Sequence, residues 1–262
     1  IGLPHVLAVL EPIWTKKTET ASRLRGRLES VLAWATTRGY RAGLNPARWK
    51  GHLDTVLPAA RSVANAGHHS ALPVGEVGAF MQTLREQAGM SARALEFTIL
   101  TAARSGEVRG ARWAEIDVRA AVWTVPGERM KAGKEHRVPL SDAALAVLGA
   151  LPHEDRDALV FASPRGGMLS DMSLTAVLRR MNVDAVPHGF RSSFRDWCAE
   201  RANYPREVAE MALAHAIGDK VEAAYRRGDL FAKRRRMMND WAGFCSKGES
   251  LGAVVAIDGK RA

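Results

Sequence analysis

Apolar residues between Thr18 and Gly39 fall at Ala21, Leu24, Leu28, Val31, Leu32 and Ala35, the three-and-four spacing of a helix with one buried stripe. Thr18 is expected as its N-cap and Gly39 as its stop. Asn45-Pro46 reads as a turn opening a short helix. From Pro58 to Pro73 the text becomes rich in Ala, Ser and His and loses its period, which predicts an interdomain linker. Helical spacing returns over Val74–Gln87 and Ser91–Ala103. The period then changes: Trp113–Ile116, Val122–Val125 and Arg137–Leu140 read as short strands, with Met130–Lys134 and its Gly133 as a turn before the last of them. The remainder is helical, over Ser141–Leu151, Ser170–Met181, Gly189–Ala202, Arg206–Ala214, Lys220–Tyr225 and Phe231–Cys245, with Ser141 and Ser170 as N-caps. The pattern predicts a mainly α fold with a small antiparallel β-sheet (α+β), divided into a helical module over residues 1–66 and a larger domain over 67–262.

Charge changes the picture. Lys+Arg number 38 against 28 Asp+Glu, a net of +10 with a pI near 10.1. Residues 1–70 hold 10 of those cations and 4 of the anions, so more than half of the excess sits in the first quarter of the chain. A basic front module implies a polyanionic partner. Two cysteines, Cys198 and Cys245, are too few for a disulfide framework or a thiolate-rich zinc site. No apolar run approaches the ~20 residues of a membrane span, no secretory signal is visible, and a cytoplasmic compartment is the simplest expectation. The chain starts at Ile1 rather than Met, so a fragment lacking its natural N-terminus is expected.

Five short signatures carry the candidate chemistry, in one order along the larger domain. They are Thr101-Ala-Ala-Arg104-Ser-Gly-Glu107; Met130-Lys131 ahead of His136-Arg-Val-Pro-Leu; His188-Gly-Phe-Arg191; Leu213-Ala-His215; and Ala224-Tyr225-Arg-Arg-Gly-Asp229. Taken singly, each has an ordinary reading: a surface ion pair, a solvated turn lysine, a core histidine, a half-packed tyrosine. Taken together, the series Arg, Lys, His-x-x-Arg, His, Tyr resembles the active-site set of tyrosine recombinases. Its wording is most similar to integrases of prophages and genomic islands. The resemblance covers about residues 70–245, and the preceding segment resembles that family's core-binding domain.

Transfer of a DNA phosphate to a tyrosine builds negative charge on two non-bridging oxygens, which planar, always-charged guanidinium groups can clamp through paired hydrogen bonds. Arg104 and Arg191 are the expected clamps. The leaving 5′-oxygen needs a proton and the attacking phenol must lose one. The resemblance assigns the acid to Lys131 and the base or proton shuttle to His188. It gives His215 a hydrogen bond to the phosphate and Tyr225 the nucleophilic attack, and Glu107 would fix a clamp residue or a histidine. It further implies a 3′-phosphotyrosine intermediate, no nucleotide cofactor or metal, double-stranded DNA as partner, a tetramer on paired sites, and accessory directionality or bending proteins. Lys16, Lys17, Arg23, Arg25 and Arg27 are expected to contact DNA phosphates.

One departure is expected at the front: such integrases usually carry a further N-terminal, arm-binding domain, and the resemblance begins after it. Rival readings are a type IB topoisomerase-like relaxing enzyme and a non-catalytic DNA-binding regulator on the same scaffold. The run Lys233-Arg234-Arg235-Arg236 reads equally as DNA-facing or solvated. The last helix would pack either on its own domain or on a neighbour. His68-His69 has no third ligand in view, and Arg165-Gly166-Gly167 lacks the Lys of a nucleotide loop.

Overall fold

In the computed structural model, residues 1–63, 70–153, 155–215 and 228–247 are described, and the chain divides into two compact units, Ile1–His68 and His69–Ala262.

In the first unit, α1 (Leu3–Trp14) packs on α2 (Thr18–Thr37), followed by a 3-10 turn at Leu53–Thr55 and a short helix α3 (Ala60–Val63). Helix α1 has no counterpart among the sequence expectations, because Pro4 and Pro12 punctuate an almost continuous apolar run. Pro4 falls in the first turn, where no amide donor is required. Val6, Leu10 and Trp14, spaced by four, are all buried, and this packing outweighs the helix-breaking Pro12. Two details of α2 differ from expectation. Lys17, not Thr18, is the N-cap residue, and Val31 is exposed while Ala21 and Leu32 are buried. The stop at Gly39 is a left-handed turn (φ +74°): Gly39 N–H donates to Thr36 O and Tyr40 N–H to Ala35 O, a Schellman closure. Asn45 makes the turn, donating to Glu29 O at 2.8 Å and accepting from Ala47 N–H at 3.0 Å. The short helix placed there by sequence is instead the 3-10 turn at Leu53.

The second unit is mainly helical around one small sheet. Helices α4 (Val77–Glu86) and α5 (Met90–Thr101) open it. A short α6 (Ser105–Arg109) precedes β1 (Ile116–Asp117), β2 (Val122–Val125) and β3 (His136–Pro139). The sheet is antiparallel in the order β1-β2-β3, with Trp123 opposite Ile116 and Val138. Sequence placed the first strand too early, since Trp113–Glu115 is a 3-10 turn, and the third one residue late. Then come α7 (Asp142–Gly149), α8 (Ser173–Arg180), α9 (Gly189–Glu200), α10 (Arg206–Ala212) and α11 (Phe231–Ser246). Ser141 caps α7 by accepting Ala144 N–H. Ser170 does not cap α8: its hydroxyl meets Ser173, and Met172 holds the cap position.

Helix α5 is the axis of the core, buried from Ala94 through Thr101. Glu96 on it is buried and held by Arg85 and Arg93, each at 2.7 Å. Helix α11 packs on this unit's own core: Met237, Trp241 and Cys245 are fully buried, and Trp241 Nε1 donates to Ile99 O at 2.8 Å. Of the two packings that the sequence left open, the described residues of α11 show the one on their own domain. Among the described residues no helix is long and apolar enough to cross a membrane.

Candidate active site

Helix α5 ends in a left-handed residue, Ala102 (φ +51°), which swings the chain outward so that Arg104 becomes the extended N-cap of α6. Glu107, three residues on, grips Arg104 at both ends. Its carboxylate accepts Arg104 N–H at 2.9 Å and Nη1 at 2.7 Å. The carboxylate is buried while the guanidinium remains partly open, so the ion pair aims the cation.

Arg191 sits in the first turn of α9 and is only 5% exposed. Its Nη1 donates to Ala102 O, and Nη2 donates to Leu213 O at 2.6 Å. Arg104 Nη2 reaches the same corner, 3.2 Å from Ala214 O and 3.5 Å from Leu213 O. The carbonyls of Leu213 and Ala214, at and just past the C-cap of α10, thus gather both guanidinium groups. Among the described residues Arg191 has no carboxylate partner, and its Nε has no hydrogen bond. Burial, then the neighbouring Arg104 charge, lowers its pKa to about 10 against the opposing pull of Glu107 and Glu210.

His215 joins the same corner. Its Nε2 lies 3.2 Å from Arg191 Nη2, and its Nδ1 lies 2.5 Å from Glu210 Oε2. Glu210 is not among the expected site residues, and neither is His136, although it opens the His136-Arg-Val-Pro-Leu signature. His136, on β3, hydrogen-bonds the Ala212 carbonyl; burial first and then Arg234 push it down to about 4, so it is neutral. Arg129 is a third addition. It donates to Glu107 O at 2.9 Å and pairs with Glu115, tying the β2–β3 connection to α6.

His188 is exposed at the cap of α9, with its carbonyl accepting Arg191 N–H at 3.1 Å. Lys131 is exposed in the turn before β3 and makes no hydrogen bond or ion pair among the described residues. That turn is shaped by a close approach: a Cβ on Gly127 would lie 2.9 Å from Gly133 O. The structure therefore brings Arg104, Glu107, Arg191 and His215 together. Tyr225 lies outside the described residues, as do the helix expected over Lys220–Tyr225 and His68-His69.

In the basic run, Arg234 neither faces outward nor is solvated. It is 1% exposed and donates to Asp229 O at 2.7 Å, Asp229 Oδ2 at 2.8 Å and Arg137 O at 2.7 Å. In the first unit, Lys16, Lys17, Arg23 and Arg27 are exposed. Arg25 is not: its guanidinium pairs with Glu29, donates to Ala47 O at 3.0 Å and lies over the Trp49 ring.

Residues 71–229 match the model of the phage integrase family, and residues 1–52 match that of the phage integrase central domain. The chain belongs to the phage integrase family. It is 31% identical over 261 residues to prophage integrase IntZ of Escherichia coli, covering 97% of this chain and 61% of that protein. It is 37% identical over 183 residues to prophage integrase IntA of the same organism, covering 67% of this chain and 44% of that protein. The chain thus spans about half the length of these relatives. The fold of this phage integrase family member is similar to that of lambda integrase, crystallised as a tetramer bound to a Holliday junction. That match has a TM-score of 0.60 at 18% identity, over 84% of this chain and 66% of that one.

Proposed function

We propose that this chain is the core-binding and catalytic part of a site-specific DNA recombinase that integrates or excises a mobile element. The reading is supported most by one observation: a buried guanidinium, Arg191, stands beside Arg104 and His215 without a carboxylate of its own among the described residues. Burying a cation without an ion pair is costly, and a DNA phosphate docked at this corner would offset that cost.

In this reading the Tyr225 phenol oxygen attacks the scissile phosphorus and the bond to the 5′-oxygen breaks. His188 takes the phenol proton, and Lys131 gives a proton to the leaving 5′-oxygen. Arg104 and Arg191 clamp the non-bridging oxygens, His215 adds a hydrogen bond, and Glu107 holds Arg104 in place. Such preorganised charge is usually the largest catalytic term. The 3′-phosphotyrosine keeps the bond energy, so the 5′-hydroxyl of a second strand can reverse the step with a new partner. Residues 1–66 contact duplex phosphates through Lys16, Lys17, Arg23 and Arg27. Assembly as a tetramer on paired sites, accessory bending or directionality proteins and a cytoplasmic location belong to the same proposal.

The test is a nicked suicide duplex spanning the host–element junction, incubated with the protein in chelator and run on a denaturing gel. A slow-migrating adduct that disappears in Tyr225→Phe is expected. An adduct that survives Tyr225→Phe would remove the nucleophile assignment. Tight, salt-sensitive binding without any adduct would favour a non-catalytic regulator, and relaxation of supercoils lacking the site would favour a topoisomerase.

A further inference from the structure

The bond pattern fixes the polarity of the Glu210–His215 pair. A guanidinium only donates, so His215 Nε2, 3.2 Å from Arg191 Nη2, presents its lone pair. A neutral imidazole then carries its proton on Nδ1, which lies 2.5 Å from Glu210 Oε2. Residues five apart on a regular helix point about 140° away from one another. They meet here because α10 ends in a left-handed residue, Ala214 (φ +48°), and His215 N–H closes back on Glu210 O at 3.0 Å.

We propose that Glu210 is a positioning residue for strand cleavage: in the DNA-free protein its carboxylate holds His215 in the Nδ1–H form with the Nε2 lone pair on Arg191, so that the imidazolium formed when a phosphate docks donates Nε2–H to the oxygens that Arg191 clamps while Nδ1–H stays on Glu210. This rests on the functional reading above.

The surroundings support it. Glu210 Oε1 accepts Arg195 Nε from α9 at 3.0 Å and faces Arg206 at 3.9 Å, so the carboxylate is braced from behind. Burial opposes its charge, but His215 and Arg195 hold its pKa below the ordinary carboxylate range, and it is ionised at neutral pH. On the far side of the imidazole stand Arg191 and, beyond it, Arg104. The arrangement is a carboxylate–imidazole–guanidinium row with the carboxylate on the side of the imidazole away from Arg191. Orienting partners behind a functional imidazole typically contribute roughly 10- to 100-fold.

The experiment reads the tautomer directly and the rate separately. Imidazole nitrogen NMR of the labelled free protein, about two pH units above the ~6.5 reference of histidine, is compared for the wild type, Glu210→Gln, Glu210→Ala and Arg195→Ala. The His215 signals are assigned with His215→Gln. Wild type and Glu210→Gln, whose amide oxygen still accepts, are expected to show Nδ1–H. Glu210→Ala is expected to lose that form and to make the suicide-duplex adduct roughly 10- to 100-fold more slowly with unchanged duplex affinity. Arg195→Ala keeps the tautomer, which separates orientation from a mere tie between α9 and α10. An Nε2–H signal in the wild type overturns the proposal without any variant having to fold. So does a Glu210→Ala protein with wild-type tautomer and rate. If the adduct persists in Tyr225→Phe, the functional reading fails while the tautomer result stands.

Discussion

The backbone of Gly189 passes so close to Ser70 that a Cβ on the glycine would lie 2.2 Å from the Ser70 carbonyl oxygen and 2.9 Å from Ala71 Cα. The contact is with main chain, which is itself fastened. Val186 N–H donates to Ser70 O at 3.1 Å, the Ser70 hydroxyl bonds Asp184 O at 2.7 Å, and Ser193 Oγ donates to Leu72 O. The first turn of α9, which carries Arg191, is thereby seated on residues 70–72. Gly189→Ala is expected to cost on the order of 3 kcal/mol through overpacking, lowering Tm by roughly 5–10 °C, and to slow adduct formation because Arg191 is displaced. Calorimetry beside the suicide-duplex assay checks both; an unchanged melting curve would show that the seat yields.

This contact also marks where reading the sequence stops. Gly189 was visible as part of His188-Gly-Phe-Arg191, but nothing local reveals that Ser70, 119 residues upstream, lies over it. Period and turn chemistry were enough for most helices, for β2 and for the Schellman stop at Gly39. They were not enough for α1, whose prolines argue against a helix that tertiary burial stabilises. Arg104, Glu107, Arg191 and His215 were legible because their order along the chain is distinctive. Glu210 was hidden by a left-handed turn, and His136 by a buried environment that only the folded chain creates.

His136 should leave a signature in stability against pH. Its folded pKa of about 4 lies below the ordinary value of 6.5, owing to burial and then to Arg234. Between those values the unfolded chain binds a proton that the folded chain refuses. Its contribution is therefore complete above about pH 6.5 and is lost as pH falls toward 4, with a limiting slope of about 1.4 kcal/mol per pH unit. Urea unfolding of wild type and His136→Gln across that range should give curves that converge in acid. Parallel curves would mean that His136 takes up its proton in the fold.

Arg234 holds the start of α11 to the sheet. Its three hydrogen bonds reach Asp229 twice and the Arg137 carbonyl once, and Asp229 in turn accepts Phe231 N–H at 3.2 Å. Arg234→Met should destabilise the second unit by roughly 2–4 kcal/mol, at the low end because Asp229 is partly solvated. Lys233→Ala and Arg236→Ala, at exposed positions, should melt as wild type. Equal melting temperatures for all three variants would show that burial of Arg234 does not matter.

Arg25 and Arg27 are two residues apart on α2 and should fail in different ways. Arg27 is exposed, so Arg27→Ala should weaken binding of any duplex about equally and reduce the log–log salt slope by about one. Lys16→Ala should behave the same way. The guanidinium of Arg25 is occupied within its own unit, between Glu29, the Ala47 carbonyl and a Trp49 ring that stacks on Trp14 at 5.5 Å. Removing it strands a carboxylate and a carbonyl that are partly buried, at a cost of about 1–2 kcal/mol, and it should leave the salt slope of the folded protein unchanged. Anisotropy titrations over a range of salt, paired with thermal melts, separate the two cases. A reduced slope with an unshifted melt in Arg25→Ala would mean that this guanidinium leaves its internal partners to meet DNA.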